Sequence, residues 1–164
     1  MTSYDTNGTA YDVEVLYEGN DWDDFYRVYV ADGEGGLLVF YAELRYGGMS
    51  LWRFKQYDTP GTAYDVEIVG YSPRQKYAYV ADGGHGLLVF DPETGIQLGS
   101  YDTRGTAYGV TVSGKYAYVA DGDAGLVILD VSAPSNPRLV GSVDTPGTAY
   151  AVDVFDGRAY VADG

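Results

Sequence analysis

Cysteine is absent from this 164-residue sequence, and proline, histidine and basic residues are scarce. The lack of cysteine excludes a disulfide framework, a zinc–thiolate site and a thiol nucleophile. Ten basic residues against twenty-four acidic ones give a net charge of −14, which repels nucleic acid and anionic lipid. No apolar run approaches the roughly 20 residues of a membrane helix, and the first residues show no signal peptide. The composition therefore predicts neither a nucleic-acid partner nor membrane insertion.

Tyrosine and glycine, by contrast, are abundant, with 18 and 23 residues. Tyrosine favours β-strands, and glycine favours the tight turns that connect them. No segment has apolar residues at the spacing of an amphipathic helix. The sequence therefore predicts an all-β fold.

Two recurring motifs, GTAY and VADG, divide the chain into repeats. The tyrosines of GTAY are separated by 53, 44 and 42 residues. These tyrosines are Tyr11, Tyr64, Tyr108 and Tyr150, and the aspartates of VADG are Asp32, Asp82, Asp121 and Asp163. A period of about 42 residues is typical of a four-stranded propeller blade.

The third repeat shows the parts of a blade most clearly. Its strands are AYGVTV, YAYVAD, LVILDV and RLVGSVDT, labelled A to D from the propeller axis outward. Strand C is apolar on both faces and needs cover on both, which stacked blades provide. We predict a β-propeller unit that forms a partial ring of about 3.5 blades. Its parts are a lone outer strand at residues 1–6, blades at 7–59, 60–103 and 104–145, and a half blade at 146–164.

The words YAYVADG, GLVILDVS and PSNPRLVGS together resemble the LVIVD-repeat family of β-propellers. The resemblance covers the third repeat throughout, the second well, and the first only in its GTAY and YVADG words. It implies a propeller fold and an extracellular or cell-surface location, and it brings no shared catalytic residues. The first repeat departs from the pattern at LYEGNDWDDFYR and YAELRYGGMSLWRF.

A lone D strand and an A–B pair do not bury their faces alone, which predicts self-assembly. We expect a second copy to close a twofold ring of eight blade positions, since twofold dimers are the commonest symmetric assemblies. The lone strand around Tyr4 would join the open sheet of the other copy. The valines Val152, Val154 and Val161 would pack against its first blade. The alternatives are that the chain is a piece of a longer propeller, or that it closes by itself as four blades.

Two sets of repeated side chains are candidate binding groups at the D–A and B–C loops, which share one face of a propeller. The aspartates Asp32, Asp82, Asp121 and Asp163 either build their own turns or bind calcium, because carboxylates suit hard cations. The tyrosines Tyr11, Tyr64, Tyr108 and Tyr150 either wedge between blades or form an aromatic platform for a ligand. Trp22, in the loop EGNDWDDFY on the opposite face, is a further candidate for contact with a partner.

The expected function is that of a non-enzymatic propeller scaffold that assembles with itself and presents loops to a protein or small ligand. The alternative is a cation-dependent carbohydrate-binding or hydrolase site on the acidic loop face. The single histidine, His85, is not repeated and has no marked nucleophile to serve. No cofactor is predicted.

Overall fold

A computed structural model of the chain describes residues 6, 8–19, 24–45, 48–72 and 75–164. These ranges contain fourteen strands and no helix. The strands are β1 (Asp12–Tyr17), β2 (Asp24–Ala31), β3 (Leu37–Arg45), β4 (Gly48–Tyr57), β5 (Asp65–Ser72), β6 (Gln75–Ala81), β7 (Leu87–Phe90), β8 (Gln97–Tyr101), β9 (Gly109–Ser113), β10 (Tyr116–Ala120), β11 (Leu126–Asp130), β12 (Arg138–Val143), β13 (Ala149–Phe155) and β14 (Arg158–Asp163). No helix long and apolar enough to cross a membrane occurs in these ranges.

The strands form three four-stranded sheets and one two-stranded sheet, each a simple antiparallel meander. Strands β1–β4 form blade 1, β5–β8 form blade 2, and β9–β12 form blade 3. Strands β13 and β14 form a half-blade. Consecutive blades contact each other chiefly through their inner strands, β1 with β5, β5 with β9 and β9 with β13. The predicted all-β fold, a partial propeller, is confirmed.

Successive side chains along a strand pack into different cores because each blade is covered on both faces. In β6, Tyr79 and Ala81 pack into the core between blades 2 and 3, whereas Ala78 and Val80 pack into the core between blades 1 and 2. Strand β7 is buried at all four of its positions. This is the arrangement that the apolar C strands predict, because a two-residue period places successive side chains on opposite faces.

Two apolar cores follow from this stacking. The core between blades 1 and 2 contains Tyr29, Ala31, Leu37, Val39, Ala63, Val66, Ile68, Ala78, Val80, Leu88 and Phe90. The core between blades 2 and 3 contains Tyr79, Ala81, Leu87, Val89, Ala107, Val110, Ala117, Val119, Val127, Leu129 and Val131. Equivalent repeat positions recur in both cores, so each blade has one face directed to the preceding blade and one to the following blade.

The orientation of three valines in the half-blade differs from the predicted assembly surface. Val152 and Val161 are paired in the register of β13 with β14 and are half-buried, as is Val154. They occupy the repeat positions of Val110, Val119 and Val112, which pack on the preceding blade. These three valines therefore face blade 3, and the prediction that they meet a second copy is wrong.

The opposite face of the half-blade is the outward one. There Phe155 is 72% exposed and Tyr160 is 53% exposed. Residues 1–5 of the predicted lone strand, with Tyr4, lie outside the described residues, and so does Trp22.

Candidate functional site

The recurring motifs VADG and GTAY contact each other at every junction between the described blades. Gly33 and Ala63 exchange backbone hydrogen bonds, with the Gly33 N–H donating to the Ala63 carbonyl at 3.0 Å and the Ala63 N–H donating back at 3.1 Å. Gly83 with Ala107 and Gly122 with Ala149 form the same reciprocal pairs. The three alanines are fully buried. Each VADG turn is thereby fastened to the GTAY segment of the following blade.

The glycine of each turn also carries the tyrosine ring of its own blade. Gly83 has a φ of +57°, a left-handed conformation that favours glycine. A Cβ at Gly83 would lie 3.4 Å from the ring of Tyr64, and one at Gly33 would lie 3.0 Å from the ring of Tyr11. The backbone conformation therefore favours glycine in both turns, and at Gly33 the aromatic ring also crowds the position of a Cβ.

These contacts line up the four GTAY tyrosines in one continuous row, which we call the tyrosine arc. Neighbouring ring centroids are 4.7 Å apart for Tyr11 and Tyr64, 4.9 Å for Tyr64 and Tyr108, and 5.3 Å for Tyr108 and Tyr150. The planes are tilted by 45–61°, within the range of favourable aromatic pairs. Tyr11 and Tyr150, at the two ends, are each 53% exposed. The arc presents half-exposed aromatic rings and hydroxyls at one face of the propeller.

The VADG aspartates bind the loop that enters their own blade. Asp121 accepts hydrogen bonds from the Thr103 hydroxyl and, at 2.9 Å, from the Gly105 N–H. Asp163 accepts the same pair from Thr145 and Gly147, at 2.6 and 2.9 Å. Asp32 accepts from the Thr6 hydroxyl and the Gly8 N–H, and Asp82 accepts from the Gly61 N–H. The carboxylates thus connect the D–A loop to the B–C turn.

Burial shifts the pKa of two of these aspartates. Asp82 and Asp121 have no exposed surface, and burial raises the pKa of both carboxyls above the ordinary value. The Gly61 N–H at Asp82, and the Thr103 hydroxyl and Gly105 N–H at Asp121, oppose that rise because they stabilise the charged form.

The predicted calcium site has no cluster of ligands to support it. Among the described residues, no three Asp, Glu or His side chains come together as a metal would require. The oxygens of Asp32, Asp121 and Asp163 that a cation would use accept hydrogen bonds from the chain itself. The geometry therefore gives these carboxylates a structural task, which is to connect the D–A loop to the B–C turn.

The inner strands carry a second group of carboxylates that the sequence analysis did not single out. Asp12 accepts from the Val66 N–H at 3.3 Å, and Asp65 accepts from the Val110 N–H at 2.7 Å, so both connect adjacent blades. Burial and the proximity of Asp12 raise the pKa of the Asp65 carboxyl. Burial, followed by the charges of Glu14, Asp12 and Asp153, raises the pKa of Glu67 to about 7. Burial and mutual repulsion therefore disfavour the charged forms of these carboxyl groups on the inner strands.

A cavity of about 1120 Å³ lies between blades 1 and 2. Its central side chain is Arg27, of which 7% is exposed. Arg27 forms ion pairs with Glu18, at 2.9 Å, and with Glu93 of blade 2, while Lys76 pairs with Glu18. The guanidinium also donates to the Tyr41 hydroxyl at 3.2 Å. The cluster fastens blade 1 to blade 2 away from the tyrosine arc.

The sequence analysis missed this cluster because its members come from non-equivalent positions of two repeats. Arg27 lies five residues before Asp32, at the position that Tyr77, Tyr116 and Arg158 occupy in the other repeats. The available signal was an arginine at a position where two of the other three repeats have tyrosine.

Comparison with known structures agrees with this geometry and defines the class. The chain resembles the complex of the fission yeast SREBP–SCAP binding domains, with a TM-score of 0.58 and 13% identity over 97% of this chain and 46% of that one. It also resembles the WD40 domain of SCAP from fission yeast, with a TM-score of 0.58 and 12% identity over 96% and 42%. WD40 domains are β-propellers, so the fold is that of a propeller, and the chain spans less than half the length of these two structures.

The particular kind of repeat follows from the sequence. Residues 60–91 and 104–145 match the model of the LVIVD repeat, which confirms the resemblance seen in the sequence of these two segments. A comparison with curated proteins finds no match.

Proposed function

We propose that this chain is a non-enzymatic propeller module that binds a protein partner at the tyrosine arc. The observation that carries the proposal is the arc itself, in which four rings from four successive blades contact one another at one face. Tyrosine is favoured at binding surfaces because it supplies apolar area together with a polar hydroxyl. The similar fission yeast structure is a complex of the SREBP–SCAP binding domains, which supports a protein as the partner.

The charge of the chain favours a basic partner. The net charge of −14 attracts cations over long range, and the inner strands that follow the tyrosines carry carboxylates such as Asp12, Glu14 and Glu67. Aromatic faces bind guanidinium groups by cation–π contact, with roughly 0.5–2 kcal/mol for each contact. An arginine side chain of the partner would combine both attractions.

We also propose that a second copy closes the ring. Tyr11 and Tyr150 end the arc symmetrically, each with 53% of its surface exposed. Val13 and Val15 of β1 are exposed by 55% and 53%, although their counterparts Val66 and Ile68 are buried in the core between blades 1 and 2. The outward face of the half-blade, with Phe155 and Tyr160, would cover Val13 and Val15 of the other copy. Two tyrosine arcs would then join into one ring.

A matched pair of small probes tests the binding proposal. N-acetyl-arginine amide is compared with N-acetyl-citrulline amide, which has nearly the same shape and no charge. We expect the arginine compound to shift the tyrosine signals of the arc in NMR titrations and to bind at least about tenfold more tightly, a difference of about 1.4 kcal/mol.

Variants locate the site. Tyr64→Leu with Tyr108→Leu should abolish the preference for arginine, whereas Tyr77→Leu, which alters the cavity between blades 1 and 2, should leave it unchanged. Equal binding of arginine and citrulline, or an equal loss with Tyr77→Leu, would contradict the proposed site.

A further inference from the structure

Each blade of this chain has a face directed to the following blade, and the three faces are covered to different degrees. The repeat position of Tyr29 and Tyr79 is fully buried in blades 1 and 2. The equivalent Tyr118 of blade 3 is only half-buried. The difference increases outward along blade 3, where Ala120 is fully buried, Leu126 is 8% exposed and Val143 is 59% exposed. The half-blade thus covers the inner strands of blade 3 and leaves its outer strands open.

The contact that covers an outer strand is visible one blade earlier. The C–D loop of blade 3, residues 131–137, packs on Gly99 of β8. A Cβ at Gly99 would lie closer than 3.0 Å to the carbonyl oxygen of Pro134 and to the carbonyl carbon of Ser135, and near the ring of Pro137. Glycine is needed at this position because the proline-bearing loop approaches the strand backbone directly.

The same position in blade 1 also contacts the C–D loop of the following blade, here through a lysine side chain. Lys55 pairs with Val39, as Gly99 pairs with Val89, next to a bulge in both strand pairs. Its ammonium group donates to the carbonyl oxygen of Glu93, in the C–D loop of blade 2. In two consecutive junctions, therefore, a C–D loop contacts the preceding D strand at this register.

Gly141 is the third member of this series. It pairs with Ile128, next to the corresponding bulge, and a Cβ at Gly141 would meet no described atom within 4 Å. The neighbours on its side of the sheet are Leu126, Ile128 and Val143, because directly paired residues of antiparallel strands share a face. We call these four residues the β12 face.

We propose that the β12 face is a docking site for the C strand and proline-bearing C–D loop of a further LVIVD-type blade. The proposal rests on the packing of the described blades and not on the proposed dimer. The occupant is set by continuity with the two existing junctions, where the same register binds the same loop. A strand alone would pair with β14 and would supply no loop to Gly141, so the occupant is a strand–loop–strand unit such as residues 123–145 of this chain.

The test extends the full chain with a second copy of residues 123–145 after Gly164, which completes the half-blade. We expect the extension to raise the melting temperature by about 5–15 °C, because it buries Ile128 and Val143. Hydrogen exchange should slow at the amides of β12 at the same time, which reports the docking independently of the melting temperature.

A glycine pair makes the test specific. Gly141→Ala should leave the melting temperature of the original chain within about 1 °C, and should lower that of the extended chain by about 2–10 °C, because the new Cβ meets the docked loop. Gly99→Ala should lower both, and Gly70→Ala, on β5 where a Cβ would lie 3.7 Å from its nearest neighbour, should lower neither.

Three results would overturn the proposal. The first is that the extension leaves both the melting temperature and the hydrogen exchange of the β12 amides unchanged. The second is that Gly141→Ala has no effect in the extended chain. Equal destabilisation of the original and extended chains by Gly141→Ala would show that something else already covers this face.

Discussion

Replacement of Arg27 by methionine is expected to lower the free energy of unfolding by about 3–5 kcal/mol, because removing one member of a buried ion pair leaves the other charges uncompensated. The side chain of Arg27 is 9% exposed and that of Glu18 is 10% exposed. Without the guanidinium, Glu18 keeps its ion pair with Lys76 but loses the one with Arg27, and Glu93 loses its ion pair across the two blades. Chemical denaturation at neutral pH measures the loss.

Two further variants separate the ion pair from the packing of the arginine stem. The double variant Arg27→Met, Glu18→Gln should recover part of the loss, since it removes the unpaired charge along with its partner. Lys115→Met removes a surface ion pair with Asp130, at 3.7 Å with the lysine side chain 57% exposed, and should leave the stability almost unchanged because water and salt screen the pair. A loss below about 1 kcal/mol for Arg27→Met would show that the cluster does not fasten the blades.

Asp121→Ala is expected to cost about 3 kcal/mol, because it leaves the Thr103 hydroxyl and the Gly105 N–H without acceptors in a buried loop. The chain contains its own control. Asp163 accepts the same two hydrogen bonds from Thr145 and Gly147 but is exposed, so water can replace the lost carboxylate. Asp163→Ala should therefore cost less than about 1 kcal/mol.

The same measurement discriminates against a metal site. If Asp121 bound calcium, the ion would raise the melting temperature of the unaltered chain and Asp121→Ala would remove that rise. We expect calcium and a chelator to leave the melting temperature unchanged. Equal costs for Asp121→Ala and Asp163→Ala, or a calcium-dependent stabilisation, would contradict the structural role.

The propeller fold was predictable because its signals are repeated and local. The spacing of the GTAY motifs gives the blade length. The run at residues 126–129 is apolar on both faces of its strand and therefore requires a blade on each side. The pairing of Gly33 with Ala63 was not predictable, because the two residues belong to different blades and neither has a side chain that marks the contact. The repeated motifs therefore identified the blades without showing how the blades are joined.

The direction of individual side chains was the weaker part of the prediction. Val152, Val154 and Val161 are apolar and near one end of the sequence, which favoured an external interface, but strand parity turns them toward blade 3. The error arises because a shift of one residue in a strand reverses the face. The cluster at Arg27 was missed for a different reason, since ion pairs between blades depend on loops that differ from repeat to repeat.

The mass of the unaltered chain in solution, measured by light scattering over a range of protein and salt concentrations, tests the proposed ring most directly. We predict twice the mass of one chain, with association strengthened by salt because two chains of charge −14 repel each other. Val13→Asp should give the mass of one chain, whereas Val140→Asp, at a valine that is equally 55% exposed, should remain dimeric. A single-chain mass for the unaltered protein at high concentration and high salt would contradict closure of the ring by a second copy.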